Sequence, residues 1–392
     1  TTLFRSIMDK LVVTRRGDKV CTAVVSDGKI SQLMLEPDTA DSLLGNIYIG
    51  KVQKVVSNIN AAFIDIGPGC TGYYSLQERW KPERLKTGDE LVVQVSKDAV
   101  KSKAPVVTER LSFTGRYCVL TVGKTGIGFS AKIRDASYKA RLRGLLECDL
   151  AGTKDLGVIV RTNAVTVEEC AVREELAELM RTWQRLSAEA GCRVCYSCLY
   201  RALPGYIAAI RDSFGGTLEE IITDVPEYHR ELKAYLEMCQ KEDAGRLTLY
   251  EDSLLPLGRL YSLETAFEKA LGKNVWLKSG GYLVIEPTEA MTVIDVNTGK
   301  YSGRKKMQDT IYKINMEAAD EIGRQLRLRN LSGIIIVDFI DMERDEDRKA
   351  LLAHLGEVVL KDPVKTTVVD MTALNLVELT RKKVRKPLHE QV

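Results

Sequence analysis

Met291-Thr292-Val293-Ile294-Asp295-Val296-Asn297-Thr298-Gly299 and Gly333-Ile334-Ile335-Ile336-Val337-Asp338-Phe339-Ile340-Asp341 decide how the chain is read. Each is an apolar, β-branched run that ends in a carboxylate. Such runs form buried strands. Between them, the spacing predicts a helix over residues 305–329, because Met307, Ile311, Ile314, Ala318, Ile322 and Leu326 make one apolar stripe. Strand, helix, strand predicts a right-handed crossover onto a parallel pair. That topology sets Asp295 and Asp338 side by side, at strand ends where open sheets place their sites. Asn297 follows Asp295 by two residues, so its side chain shares that face. An ionised carboxylate beside apolar runs is costly unless something compensates it. Two carboxylates and a carboxamide oxygen are hard ligands suited to Mg²⁺ or Mn²⁺. Two solvated strand-end aspartates would show the same pattern.

Working outward, 392 residues allow two to four domains. A hydrophobic content of 45% with 28% charged residues is ordinary for a soluble globular protein. No run approaches the ~18 apolar residues of a membrane span, so none is expected. No secretory signal is evident, and Thr1–Ile7 reads as detached from a start at Met8-Asp9-Lys10. Nine cysteines without a signal predict free thiols in a reducing, cytoplasmic compartment. A net charge of +3 decides little, because local patches govern nucleic-acid binding.

Cys192, Cys195 and Cys198 have the spacing C-x₂-C-x₂-C, which iron–sulfur and zinc sites use. The stretch 192–199 reads as a strand, however, in which positions three apart face opposite ways. Buried core thiols are therefore expected there, rather than a metal site. The three histidines, His229, His354 and His389, lack a partner at metal-ligand spacing, which argues against a histidine-pair nuclease.

Residues 8–44 read as three strands with hairpin turns at Gly17 and Asp27-Gly28. Residues 45–110 hold short strands at 47–56, 61–66, 71–74 and 90–96, a spacing that predicts a small barrel. Phe63 and Tyr73 flank the turn Gly67-Pro68-Gly69, and Lys51, Lys54, Lys97, Lys101 and Lys103 are close in sequence. Aromatics beside lysines on a barrel fit stacking on single-stranded nucleic acid; core aromatics with solvated lysines would look alike. Residues 113–165 read as β-rich, with strands at 117–122 and 157–160. The second strand runs into Arg161-Thr162, whose guanidinium and hydroxyl make a compact anion site. A helix is expected over 166–190, and mixed helices and strands follow to the C-terminus. No G-x-x-x-x-G-K-[ST] loop occurs, so a P-loop nucleotide-binding protein is not expected.

Ile294-Asp295-Val296-Asn297-Thr298-Gly299 resembles the metal-binding signature of the ribonuclease E/G family. Glu317-Ala318-Ala319-Asp320-Glu321-Ile322, Arg324-Gln325-Leu326-Arg327-Leu328-Arg329 and Val337-Asp338-Phe339-Ile340-Asp341-Met342 resemble the same family in the same order. The resemblance runs from about Met8 to the C-terminus.

It implies an α+β, α/β multidomain fold. An RNase H-like domain over 8–44 and 207–272 would be interrupted by an S1 barrel (an OB-fold) at 45–110 and a 5′-sensor domain at 111–206. A DNase I-like catalytic domain would occupy 273–392. The implied activity is Mg²⁺-dependent endonucleolytic cleavage of single-stranded, A/U-rich RNA, in mRNA decay and rRNA processing. Asp295 and Asp338 would bind Mg²⁺, with Mn²⁺ an alternative, and Asn297 would hold Asp295. Asp341 reads as lying on the other strand face and is not assigned. Phe63, Tyr73 and Lys103 would contact RNA. Arg161, Thr162 and a backbone contact near Val119 would read a 5′-monophosphate.

Two departures stand out. An arginine that members use near the 5′ pocket is Lys365 here. The family's C-P-x-C zinc link does not occur before Val392, so structural Zn²⁺ is not expected; a homo-oligomer is expected, with the family's zinc-linked dimer in doubt. An RNA-binding protein without catalysis is the alternative.

Overall fold

The computed structural model describes residues 9–38, 43–67, 69–81, 83–99, 104–213, 218–299 and 307–392. The segment read as detached, Thr1–Ile7, lies outside them. The chain is mixed α+β and divides into two units. One joins the N-terminal 38 residues to Leu218–Val392; the other spans 39–217.

The second unit opens with a closed barrel of five strands, consistent with an OB fold. Ile47–Val56, Ala61–Gly67, Cys70–Ser75, Val106–Thr108 and Glu90–Lys97 neighbour one another in that order. Pairing of Ile47–Lys51 with Glu90–Gln94 closes the ring. Val52, Ala62, Ile64, Tyr74, Val93, Val95 and Val107 fill it. Gly72 is required where strands approach closely: a Cβ there would lie 2.6 Å from Val107 Cγ1. The short strand Val106–Thr108 was not foreseen; three residues carry no readable period.

A four-stranded sheet follows, ordered Gly126–Phe129, Leu156–Val160, Cys118–Val122, Ser112–Thr114. The helices Ala136–Asp149 and Glu169–Ala190 contribute to the same core. The first lies inside the stretch read as β-rich. Only Leu142 and Leu146 of it are buried, too few to print a helical stripe in the sequence.

The strand expected over 192–199 is a correction. Only Cys198–Tyr200 is a strand. Tyr196 adopts φ 71° in a turn where Ser197 N donates to Val194 O. Cys192 and Cys198 are exposed and Cys195 is half-buried, so none is a core thiol. Among the described residues, no group of three His, Cys, Asp or Glu side chains is arranged to hold a metal.

In the first unit, two distant parts of the chain share one sheet. Asp9–Arg16 pairs antiparallel with Lys19–Ser26 and parallel with Leu218–Thr223. Lys29–Pro37 and Leu247–Leu249 form its edges. The helix Leu263–Leu271 packs Leu263, Phe267 and Ala270 against Val12, Cys21 and Leu33.

A six-stranded sheet completes this unit. Its order is Asn274–Trp276, Tyr282–Pro287, Met291–Asn297, Gly333–Asp338, Leu376–Arg381, Thr366–Met371. Met291–Asn297 and Gly333–Asp338 are parallel, as their crossover predicts. The crossover is the helix Met307–Leu328. Ile311, Ile314, Ala318, Ile322 and Leu326 are buried as the stripe requires, whereas Met307 is exposed at the helix start. This helix and Asp345–Leu360 pack on the sheet through one core. Among the described residues, no helix is long and apolar enough to cross a membrane.

Arg381 and Asp362 form an ion pair whose side chains are only 4% and 2% exposed, at 2.7 Å. Arg381 also donates to Asn330 Oδ1 and to Leu331 O. It thereby ties the last strand to the turn after the crossover helix. Arg381→Met removes one partner of this buried ion pair together with the bonds to Asn330 and Leu331, and is expected to cost about 3–5 kcal/mol in urea unfolding. A loss below about 1 kcal/mol would instead be that of a solvated surface pair.

Candidate active site

Asp295 and Asp338 are direct register partners at the ends of two parallel strands. Adjacent strands lie about 4.8 Å apart, so the two side chains are neighbours. The burial pattern of Met291–Asn297 alternates: Ile294 and Val296 point into the core, Asp295 and Asn297 to the open face. Both aspartates are exposed, so solvent removes most of the desolvation cost anticipated for them. Asn297 Nδ2 donates to Asp295 Oδ2 at 2.7 Å, on the face the spacing predicts.

The Asp338 carboxyl is held above its usual range, first by partial burial, then by the negative charges of Asp295 and Asp341. The opposite-face reading of Asp341 is therefore a correction. The strand ends at Asp338, so alternation does not carry on to residue 341. Asp341 is exposed, its charge reaches Asp338, and it accepts a hydrogen bond from Asn375 Nδ2 at 3.1 Å.

Among the described residues, no arginine, lysine or histidine forms an ion pair with Asp295, Asp338 or Asp341. A hard-oxygen donor set without an ion-pair partner among the described residues fits a divalent cation such as Mg²⁺. Mg²⁺ is commonly held by one or two carboxylates and fills its other positions with water and phosphate.

Phe63 and Tyr73 are also register partners, in the barrel. Their rings meet edge to face with centroids 6.3 Å apart. Both are half-buried, while Ala62, Ile64 and Tyr74 beside them point inward. Lys54 is exposed and pairs with Phe63 across the next strand. An aromatic–lysine row thus lies on the outer face. Lys103 lies outside the described residues.

Arg161 ends the strand Leu156–Val160. Its Nη1 donates to Gly115 O at 2.6 Å and its Nη2 pairs with Asp212 at 2.8 Å. Burial acts to raise the Asp212 carboxyl, but Arg211 and Arg161 outweigh it and hold the group below its usual range. The Thr162 hydroxyl shares a hydrogen bond with Ser130 at 3.0 Å. Val119 is half-buried in the neighbouring strand, where its partners are Ile159 and Thr114. Val119 therefore sits opposite a residue two positions before Arg161.

The ribonuclease E/G family model matches residues 112–384. The chain is 35% identical to ribonuclease G of Haemophilus influenzae, over 93% of this chain and 78% of that protein. It is 33% identical to ribonuclease G of Escherichia coli, over 97% and 81%. It is also 34% identical to ribonuclease E of a Nostoc species, over 98% of this chain and 57% of that protein. This chain belongs to the ribonuclease E/G family.

The motifs that carried the family resemblance also build the frame around the acidic pair. Glu317 accepts from Lys278 N at 2.7 Å and Ser279 N at 3.1 Å, which fixes the turn before the strand Tyr282–Pro287. Two glycines let that turn approach the Asp295 strand. A Cβ on Gly281 would lie 2.8 Å from Asn297 O. A Cβ on Gly299, which has φ 61°, would lie 2.2 Å from Gly280 O. Asn315 was missed by sequence reasoning. It is fully buried, and its amide brackets the backbone of Ile340, donating to the carbonyl at 2.8 Å and accepting from N–H at 3.1 Å. Its signal was a carboxamide set within the apolar stripe of Met307–Leu328.

Asn315→Ala leaves both backbone groups of Ile340 without these partners. The expected cost is about 1–3 kcal/mol in urea unfolding. Hydrogen exchange read by mass spectrometry is expected to rise over 338–342 first. Unchanged exchange there would contradict the bracketing role.

Proposed function

We propose that this chain is an endoribonuclease that hydrolyses single-stranded, A/U-rich RNA with a divalent metal, serving mRNA decay and rRNA processing. The observation that carries the reading is the register pairing of Asp295 with Asp338 on an open sheet face, in a chain of this family. Relatives named ribonuclease G and ribonuclease E support the activity.

Asp295 and Asp338 would hold Mg²⁺, or Mn²⁺ in its place. When bound, such an ion supplies Lewis acidity toward a phosphoryl oxygen and lowers the pKa of water. Asn297 restrains Asp295 through its 2.7 Å hydrogen bond, so the carboxylate needs little reorganisation on binding. The exposed face leaves room for a phosphodiester. Attack by water on phosphorus breaks the bond to the leaving 3′ oxygen. The products then carry a 3′-hydroxyl and a 5′-phosphate.

Phe63 and Tyr73 would stack bases on the barrel, with exposed Lys54 beside them for the backbone charge. Arg161 and Thr162 would favour a 5′-monophosphate. The guanidinium fork suits a phosphate, and the pairing with Asp212 fixes its direction. The resemblance adds Lys103 and the backbone near Val119 to these two surfaces. A reducing, cytoplasmic setting belongs to the same proposal.

A short A/U-rich RNA with a 5′-monophosphate is expected to be cut with Mg²⁺ and to stay intact with EDTA. Asp295→Asn and Asp338→Asn are each expected to lower the rate by about a hundredfold or more, with RNA affinity kept. Products ending in 2′,3′-cyclic phosphate would overturn water attack, and metal-independent cutting would overturn the site. Phe63→Ala and Tyr73→Ala are each expected to weaken RNA binding by about 1–3 kcal/mol. Unchanged affinity in both would remove the barrel face from the reading.

A further inference from the structure

A second concave site lies at the edge of the six-stranded sheet. It encloses about 540 Å³ between the hairpin turn at Gly28-Lys29, the helix Leu263–Leu271, the edge strand Asn274–Trp276 and the crossover helix. Its floor is apolar, with Ile30, Ala266, Val275 and Leu328.

The charged residues that line it are all basic: Lys29, Lys269 and Arg324. Arg324 is tied to Glu321 and to Ile30 O. Among the described residues, Lys29 and Lys269 have no ion-pair partner, and both are exposed. Behind the wall, Gln325 accepts from Arg329 Nε at 2.6 Å. Arg329 is buried, and burial pushes its guanidinium down to about 10. The Glu321 carboxylate offsets this charge behind the wall, since it pairs with Arg324 and accepts from Gln325, so among the described residues the uncompensated positive charge of the pocket is that of Lys29 and Lys269.

Trp276 forms part of the rim and is 69% exposed. Its ring is backed by Tyr282, with centroids 5.1 Å apart. Trp276 is the register partner of Tyr282, and Tyr282 of Asn297. Register partners on adjacent strands present side chains to the same face. Trp276 therefore stands on the face of the acidic pair, two strand spacings from Asn297, or about 10 Å. An exposed indole backed by Tyr282 lines the same pocket as two lysines without an ion-pair partner among the described residues, a set that matches a planar base joined to a phosphate.

We propose that this pocket is a nucleotide-binding subsite, in which a base stacks on Trp276 and its phosphate meets Lys29 and Lys269. The nucleotide belongs either to an RNA strand or to a free nucleoside monophosphate. The strand source rests on the ribonuclease reading; the pocket does not.

The test titrates the full chain in EDTA, where no cutting is expected, with adenosine 5′-monophosphate and with a single-stranded A/U decamer. The same titrations are run on Trp276→Ala, on Trp276→Phe, and on Lys29→Ala combined with Lys269→Ala. Matched urea midpoints verify that each variant is folded. Trp276→Ala is expected to weaken the decamer about tenfold, with Trp276→Phe restoring most of it. The double lysine variant is expected to reduce the slope of log affinity against log salt by about one. A Trp276-dependent response to the mononucleotide would assign the free nucleotide as ligand; a response of the decamer alone would assign the strand. Affinities for both probes that are unchanged in Trp276→Ala and in the double lysine variant would overturn the proposal. Such a result with Mg²⁺-dependent cleavage intact would leave the ribonuclease reading standing. Trp276-dependent binding without any cleavage would sink that reading and leave the pocket.

Discussion

The parallel pairing of Met291–Asn297 with Gly333–Asp338 is the constraint on which the candidate site depends. It forces two carboxylates into adjacent register positions. Their mutual repulsion is unfavourable, and after partial burial the Asp295 charge is the next cause that raises the Asp338 carboxyl. What resists it is apolar. Ile294, Ile335 and Val337 are fully buried on the opposite face, beneath the helices that close the core. Sliding either strand by one residue would turn that set into solvent. The core therefore fixes the charges where they repel, and a bound cation would relieve the conflict.

The supports around this pair are polar and local. Asn297 restrains Asp295, Asn315 brackets Ile340 beyond Asp338, and Glu317 fixes the turn facing Asn297. Each holds a backbone segment or a carboxylate by hydrogen bonds, as preorganised sites require. The crossover helix supplies Asn315 and Glu317 from its sheet-facing side, so the helix that joins the two strands also positions their ends.

The legible parts of the sequence were those with a period. The two acidic strand ends and the helix between them were readable because alternation and the three-and-four spacing are local signals. Asn315 was not, because its partners at Ile340 lie 25 residues away. Asp341 was misplaced because alternation was extended past the end of a strand. The segment around Cys195 alternates like a strand, yet Tyr196 turns the chain into the left-handed region. The parallel pairing of Asp9–Arg16 with Leu218–Thr223 has no local signature at all. One motif recurs in both units: an aromatic pair at cross-strand register positions on an outer face, with lysine nearby. Phe63 with Tyr73 and Trp276 with Tyr282 are its two instances.

The most direct test of the central claim is Mn²⁺ binding by the full chain, followed by electron paramagnetic resonance of the free ion. One site per chain is expected, lost in Asp295→Asn and in Asp338→Asn, and competed by Mg²⁺. Binding that is unchanged in both variants would contradict the assignment of these two carboxylates as the metal centre.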